Sequence, residues 1–122
     1  MIRIITFIVL LVSTNLCSQD VLWPTRLGKF FSSTFGEIRG DKFHVGLDIK
    51  TGGRTGMEVL AVEDGYISRI RSDYNGYGKA LYQRTNSGHE VVYGHLESFI
   101  PVIEKVWRLQ QAKRLSYNVD AQ

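Results

Sequence analysis

A chain of 122 residues, 43% hydrophobic and 22% charged, has room for one small core, and its balance excludes both an entirely membrane-embedded and an entirely disordered protein. Fifteen basic residues against 12 acidic ones leave a formal net charge of +3, too small a surplus to indicate nucleic acid as a partner.

The first segment stands apart from the rest. Met1 and the cationic Arg3 precede an apolar run, Ile4 to Val12, broken only by Thr6 and followed by the polar Ser13, Thr14 and Asn15. That is the layout of a secretory signal peptide. The run is shorter than the roughly 20 apolar residues of a spanning helix, so no permanent membrane span is expected. Cys17 is the only cysteine, and Asn15 and Leu16 before it make a poor lipoprotein signal. Cleavage near Ser18 is expected, dividing the chain into a signal peptide (1–18) and one domain (19–122) with 14 basic and 12 acidic residues and no cysteine. Such a domain has no disulfide framework and depends on core packing, with or without a metal.

Val21 to Pro24 is a short apolar entry segment, and Gly28 to Gly40, rich in Gly, Ser and Phe, predicts loop and edge strand. From Glu58 the pattern becomes strand-like. Glu58–Val62 and Gly65–Arg71 are predicted strands joined at Asp64-Gly65, the second with Tyr66, Ser68 and Ile70 on one face and Ile67, Arg69 and Arg71 on the other. Lys79–Arg84 and His89–His95 are predicted to continue an antiparallel meander, with turns at Gly76-Tyr77-Gly78 and Asn86-Ser87-Gly88. Ser98 is the expected cap of a helix over Phe99–Lys113, whose Ile100, Ile103, Val106, Trp107 and Leu109 recur at helical spacing. Ser116–Val119 resumes an extended pattern, and the sequence stops at Gln122 in mid-pattern, so a continuation is expected. The predicted class is mainly β with one helix.

The chain has three histidines, His44, His89 and His95. His44 and Asp48 form a His-x-x-x-Asp pair. On a regular strand they would sit about 13 Å apart, too far to share an ion at bonds of about 2 Å unless the backbone bends, which Gly46 permits. Taken alone, an ordinary hydrogen-bonded histidine accounts for the pair better than a metal does. His95 ends a strand and carries an imidazole, the side-chain type suited to holding or moving a proton, although a strand-end histidine bonded to a carbonyl is the commoner case. His89 lies roughly 20 Å from His95 along the strand and is expected at the surface. Glu37 and Asp41 bracketing Arg39 fit a solvated loop, and Arg69 with Arg71 makes a cationic stripe on a solvated face.

Together these strings are more specific than any one of them. Phe35-Gly36-Glu37-Ile38-Arg39, Phe43-His44-Val45-Gly46-Leu47-Asp48-Ile49, Val59 to Ile67, Gly76-Tyr77-Gly78 and Val92-Tyr93-Gly94-His95-Leu96 resemble, in order and spacing, the lysostaphin-type (LytM-like) zinc metallopeptidases, over about residues 22–120. The resemblance implies a two-sheet antiparallel β-sandwich of the duplicated hybrid motif type, here partial and with one inserted helix. It also implies zinc as cofactor with His44 and Asp48 as ligands, His95 as the catalytic histidine, and peptidoglycan peptides as substrate in the periplasm or cell envelope. The family's later His-x-His segment, source of a third ligand, has no counterpart after His95. A catalytic zinc ordinarily has three protein ligands, so inefficient hydrolysis is expected of this chain. The alternative is a non-catalytic envelope module that binds or regulates cell-wall hydrolases.

Overall fold

The computed structural model describes residues 21–122, so the expected signal peptide lies outside the described residues. The protein is mainly β, with antiparallel sheets and one helix. Chain order gives β1 (Phe31–Ser33), β2 (Ile38–Arg39), β3 (Lys42–Phe43), β4 (Asp48–Ile49), β5 (Gly65–Ser72), β6 (Lys79–Thr85), β7 (Glu90–Leu96), α1 (Pro101–Arg114) and β8 (Val119–Ala121). β5, β6, β7 and β8 form one four-stranded sheet in the order β7-β6-β5-β8, while β1-β4 and β2-β3 are separate two-stranded pairs. Among the described residues, no helix is long and apolar enough to cross a membrane.

The predicted meander is present from β5 to β7, each pair antiparallel. Its register shifts twice, between Lys79 and Leu81 where β6 meets β7 and between Ile67 and Arg69 where β5 meets β6. Ile67 pairs with Gln83 and Arg69 with Tyr82, so Ser68 is the extra residue of a bulge, and the two expected faces of β5 exchange at that point. The expected strand over Glu58–Val62 is not formed. That segment is held by single backbone bonds, Leu22 N–H to Val62 O at 2.7 Å and Leu60 N–H to Pro24 O at 2.8 Å, too few for a ladder. Val62 N–H also donates to the Tyr93 hydroxyl at 3.0 Å, which ties the segment to the sheet.

The helix starts later than expected because Pro101 takes the first helical position and forces Ile100 before it into an extended conformation. Ser98 therefore caps nothing. Glu104 Oε2 accepts from Phe99 N–H at 3.3 Å instead, a side chain reaching back from the first turn. The helix closes on Leu115, left-handed at φ 50°, with Ser116 N–H turned back toward Gln111 O at 3.4 Å.

The core lies between α1 and the sheet. Phe99, Trp107 and Val119 are its buried members, with Ile70, Leu81, Leu96 and Ile103 packed against them. Trp107 meets Phe99 and Tyr117 edge-on, its indole N–H donates to Ser72 Oγ at 2.8 Å, and the Lys79 ammonium stands 4.3 Å from its ring centroid. Ser72, buried in β5, passes its own proton to Tyr117 O at 2.6 Å, so its polar group is satisfied. The two-stranded pairs have no such interior: Phe35, Ile38 and Phe43 are 74%, 73% and 69% exposed.

Candidate functional site

The segment joining β3 to β4 carries the His-x-x-x-Asp pair, and it is not a regular strand. The turn brings His44 Nε2 to 3.2 Å from Asp48 Oδ1, so the separation expected of an extended chain is removed. Gly46 does not achieve this by a left-handed conformation, since its φ is not positive. The two neighbouring pairings do it instead. His44 N–H donates to Glu37 O at 2.8 Å and Gly36 N–H to His44 O at 2.7 Å, while Asp48 is held opposite Ser33 in the β1-β4 pair.

Each side chain is anchored away from the edge they share. His44 Nδ1 lies 3.0 Å from Thr34 O and 3.0 Å from Ser33 Oγ. Ser33 Oγ donates in turn to Glu37 Oε2. On the other side, the Arg39 guanidinium donates to Asp48 Oδ2. The Arg39 bond holds the Asp48 carboxyl below its ordinary value; partial desolvation opposes it, and His44 and, more weakly, His95 add to it electrostatically. Glu37 is likewise held low, chiefly by the Ser33 hydroxyl.

His95 lies exposed near the end of β7 and adds a weak electrostatic lowering to Asp48. His95 carries backbone strain, being left-handed at φ 56°. Tyr77 holds it there: His95 N–H donates to Tyr77 O at 2.8 Å, and the two rings meet edge-on with centroids 6.2 Å apart. Gly94 makes room for this, since a Cβ there would fall 2.9 Å from Tyr77 Cδ1. Next along the chain, Glu97 Oε1 accepts from Thr55 Oγ1 at 3.2 Å and ties the glycine-rich 52–56 loop to the same end of the sheet.

His89 lies at the opposite end of β7 from His95, exposed and bonded to Ser87 Oγ at 2.8 Å. The expected cationic stripe is already paired. Arg69 bonds both carboxylate oxygens of Asp120, and Arg71 Nε lies 2.9 Å from Asp73 Oδ2, a charge contact outside hydrogen-bond alignment. Arg39 pairs with Asp48 and with neither of the acids that bracket it in sequence.

Two donors about 2 Å from a tetrahedral zinc are about 3.3 Å apart, close to the separation of His44 Nε2 and Asp48 Oδ1. The pair thus fits two positions of such a site. Among the described residues, no group of three or more His, Cys, Asp or Glu side chains is arranged to hold a metal. Ser33 and Thr34 were not singled out by sequence pattern, and Glu37 and Tyr77 entered only as parts of a solvated loop and a turn, because each acts through folding contacts that leave no periodic signature.

Fold and site together define a mainly β protein presenting an imidazole–carboxylate edge on a loop between two small strand pairs, with a strained histidine near the end of β7. No family model, no curated protein and no solved structure matches the chain.

Proposed function

We propose that this chain is a lysostaphin-type zinc endopeptidase-like protein that acts on peptidoglycan peptides in the periplasm or cell envelope, reached through the secretory segment at its start. The observation that carries the proposal is the shared edge, His44 Nε2 facing Asp48 Oδ1 with both side chains anchored from behind. The finer fold that accompanies it is a partial β-sandwich of the duplicated hybrid type.

His44 and Asp48 would hold the zinc. The ion, when bound, lowers the pKa of a water molecule to about 7 and polarises a carbonyl. His95, with an imidazole open to solvent, would hold a proton or donate a hydrogen bond to the oxygen that gains charge. Arg39 keeps Asp48 ionised, and Tyr77 fixes the His95 backbone and meets its ring. With two protein donors where a catalytic zinc ordinarily has three, weak zinc binding and slow hydrolysis are the expected behaviour.

One observation favours a second function, a non-catalytic envelope module that binds or regulates wall hydrolases: Arg39 already compensates the charge of Asp48 without any metal. Zinc titration of the purified protein, coupled to release of peptides from cross-linked wall, separates the two. Saturable zinc binding lost in His44→Ala and Asp48→Ala, with release stopped by a chelator and by His95→Ala, supports the hydrolase. Release that persists under chelation, or no zinc binding at saturating metal, overturns it.

A further inference from the structure

We infer that Ser33 and Glu37 are positioning residues that fix His44 in the tautomer protonated on Nδ1, leaving the Nε2 lone pair on the edge shared with Asp48. The inference rests on the zinc proposal for its purpose, but on the geometry alone for its content.

A carbonyl oxygen carries no proton, so the 3.0 Å contact between Thr34 O and His44 Nδ1 is a hydrogen bond only when Nδ1 is the donor. Ser33 Oγ stands 3.0 Å from the same nitrogen, and its role is ambiguous by itself, because a hydroxyl both donates and accepts. Glu37 removes the ambiguity. A carboxylate only accepts, so the single Ser33 proton is committed to Glu37 Oε2, and Ser33 can offer His44 nothing but a lone pair. Ser33 is 6% exposed, which limits competition from water for its hydroxyl.

The fold builds this relay from two pairings at once. Ser33 lies opposite Asp48 in the β1-β4 pair, and Glu37 lies opposite His44 through the His44 N–H bond to Glu37 O. Four residues of the site are thus set by the same two backbone registers. The competing tautomer has its own attraction, since a proton on Nε2 would donate to Asp48 Oδ1 at 3.2 Å. It would also place that proton where a cation must bind, and would turn the Nδ1 lone pair against Thr34 O. The Glu37–Ser33 relay weights the balance toward the tautomer that can ligate a metal.

The test uses the full chain, metal-free and 15N-labelled at histidine, at a pH where imidazole is neutral, with long-range 15N–1H correlation as the readout. The unmodified protein is expected to show His44 protonated on Nδ1. Glu37→Ala is expected to populate the Nε2-protonated form, because Ser33 is then free to donate. Glu37→Gln, whose amide oxygen still accepts from Ser33, is expected to restore the original tautomer. Zinc affinity should follow, falling roughly 10- to 100-fold in Glu37→Ala and little in Glu37→Gln. In a Ser33→Ala background the Glu37→Ala change should have no further effect, since the relay is already cut. An unchanged tautomer in Glu37→Ala, or an undiminished Glu37 effect without the Ser33 hydroxyl, would overturn the inference. A tautomer that responds as expected in a protein that binds no zinc would uphold the relay and sink the zinc endopeptidase proposal instead.

Discussion

The four-stranded sheet with α1 and the two small strand pairs before it are held together by different physics. In the sheet, three strands of 7 or 8 residues, the 3-residue β8 and a helix enclose Phe99, Trp107 and Val119, so position follows from apolar packing over mostly long ladders. In the strand pairs, elements of 2 or 3 residues leave Phe35, Ile38 and Phe43 in solvent, and position follows from individual hydrogen bonds around His44 and Asp48. The His44–Asp48 pair stands on the hydrogen-bonded part and His95 near the end of β7, in the packed part.

The contrast is broken most directly at Trp107. Trp107→Ala removes the ring that joins α1 to β5 and β8 and leaves Ser72 Oγ without its donor; a loss of about 3–5 kcal/mol in denaturant unfolding is expected. A loss as small as that of an exposed residue would show that packing does not hold the sheet region. Gly65→Ala comes next. A Cβ there would lie 2.2 Å from Arg84 O, a backbone atom in the paired strand, so the start of the β5-β6 ladder must shift at a cost of about 1–3 kcal/mol.

Two left-handed residues sharpen the comparison in the opposite direction. Leu115→Gly and His95→Gly both relieve a positive φ, and each is expected to raise stability by roughly 1 kcal/mol. Leu115, 93% exposed at the helix end, should gain this without functional consequence, whereas His95→Gly should gain it while abolishing any wall hydrolysis. Equal stabilisation with unequal effects on peptide release is the outcome that marks the His95 side chain, unlike that of Leu115, as kept for function despite its strained backbone.

The smallest effect is electrostatic. Arg69 holds the Asp120 carboxyl below its ordinary value, so the folded pKa is depressed and the stabilisation is present above the unfolded value near 3.8 and lost as pH falls through the lowered one. Both side chains are partly exposed, so Asp120→Asn should cost under about 1 kcal/mol near neutral pH, less at high salt. The difference from the unmodified protein should vanish in acid, as urea midpoints compared across pH would show.

Much of the sheet was legible beforehand. β5, β6 and β7 emerge within a residue or two of the runs marked by alternating β-branched and aromatic residues, because a strand's two-residue period is written in its own sequence. The departures have local causes. Ser68 became a bulge because the β5 register is decided by its partner β6, and Glu58–Val62 stayed without a ladder because only two backbone bonds reach it from the entry segment. The helix began at Pro101 because proline fixes the residue before it, an effect stronger than the capping tendency of Ser98.

The sequence by itself determined the strand and helix periods, the turn glycines and the residue types offered for chemistry at 44, 48 and 95. Tertiary structure alone decided that His44 and Asp48 share an edge, that Arg39 and the Ser33–Glu37 relay anchor them from behind, and that His95 is strained beside Tyr77. Periodicity is a property of neighbours along the chain, whereas the direction of a side chain in a loop depends on backbone registers set by residues far from it in sequence.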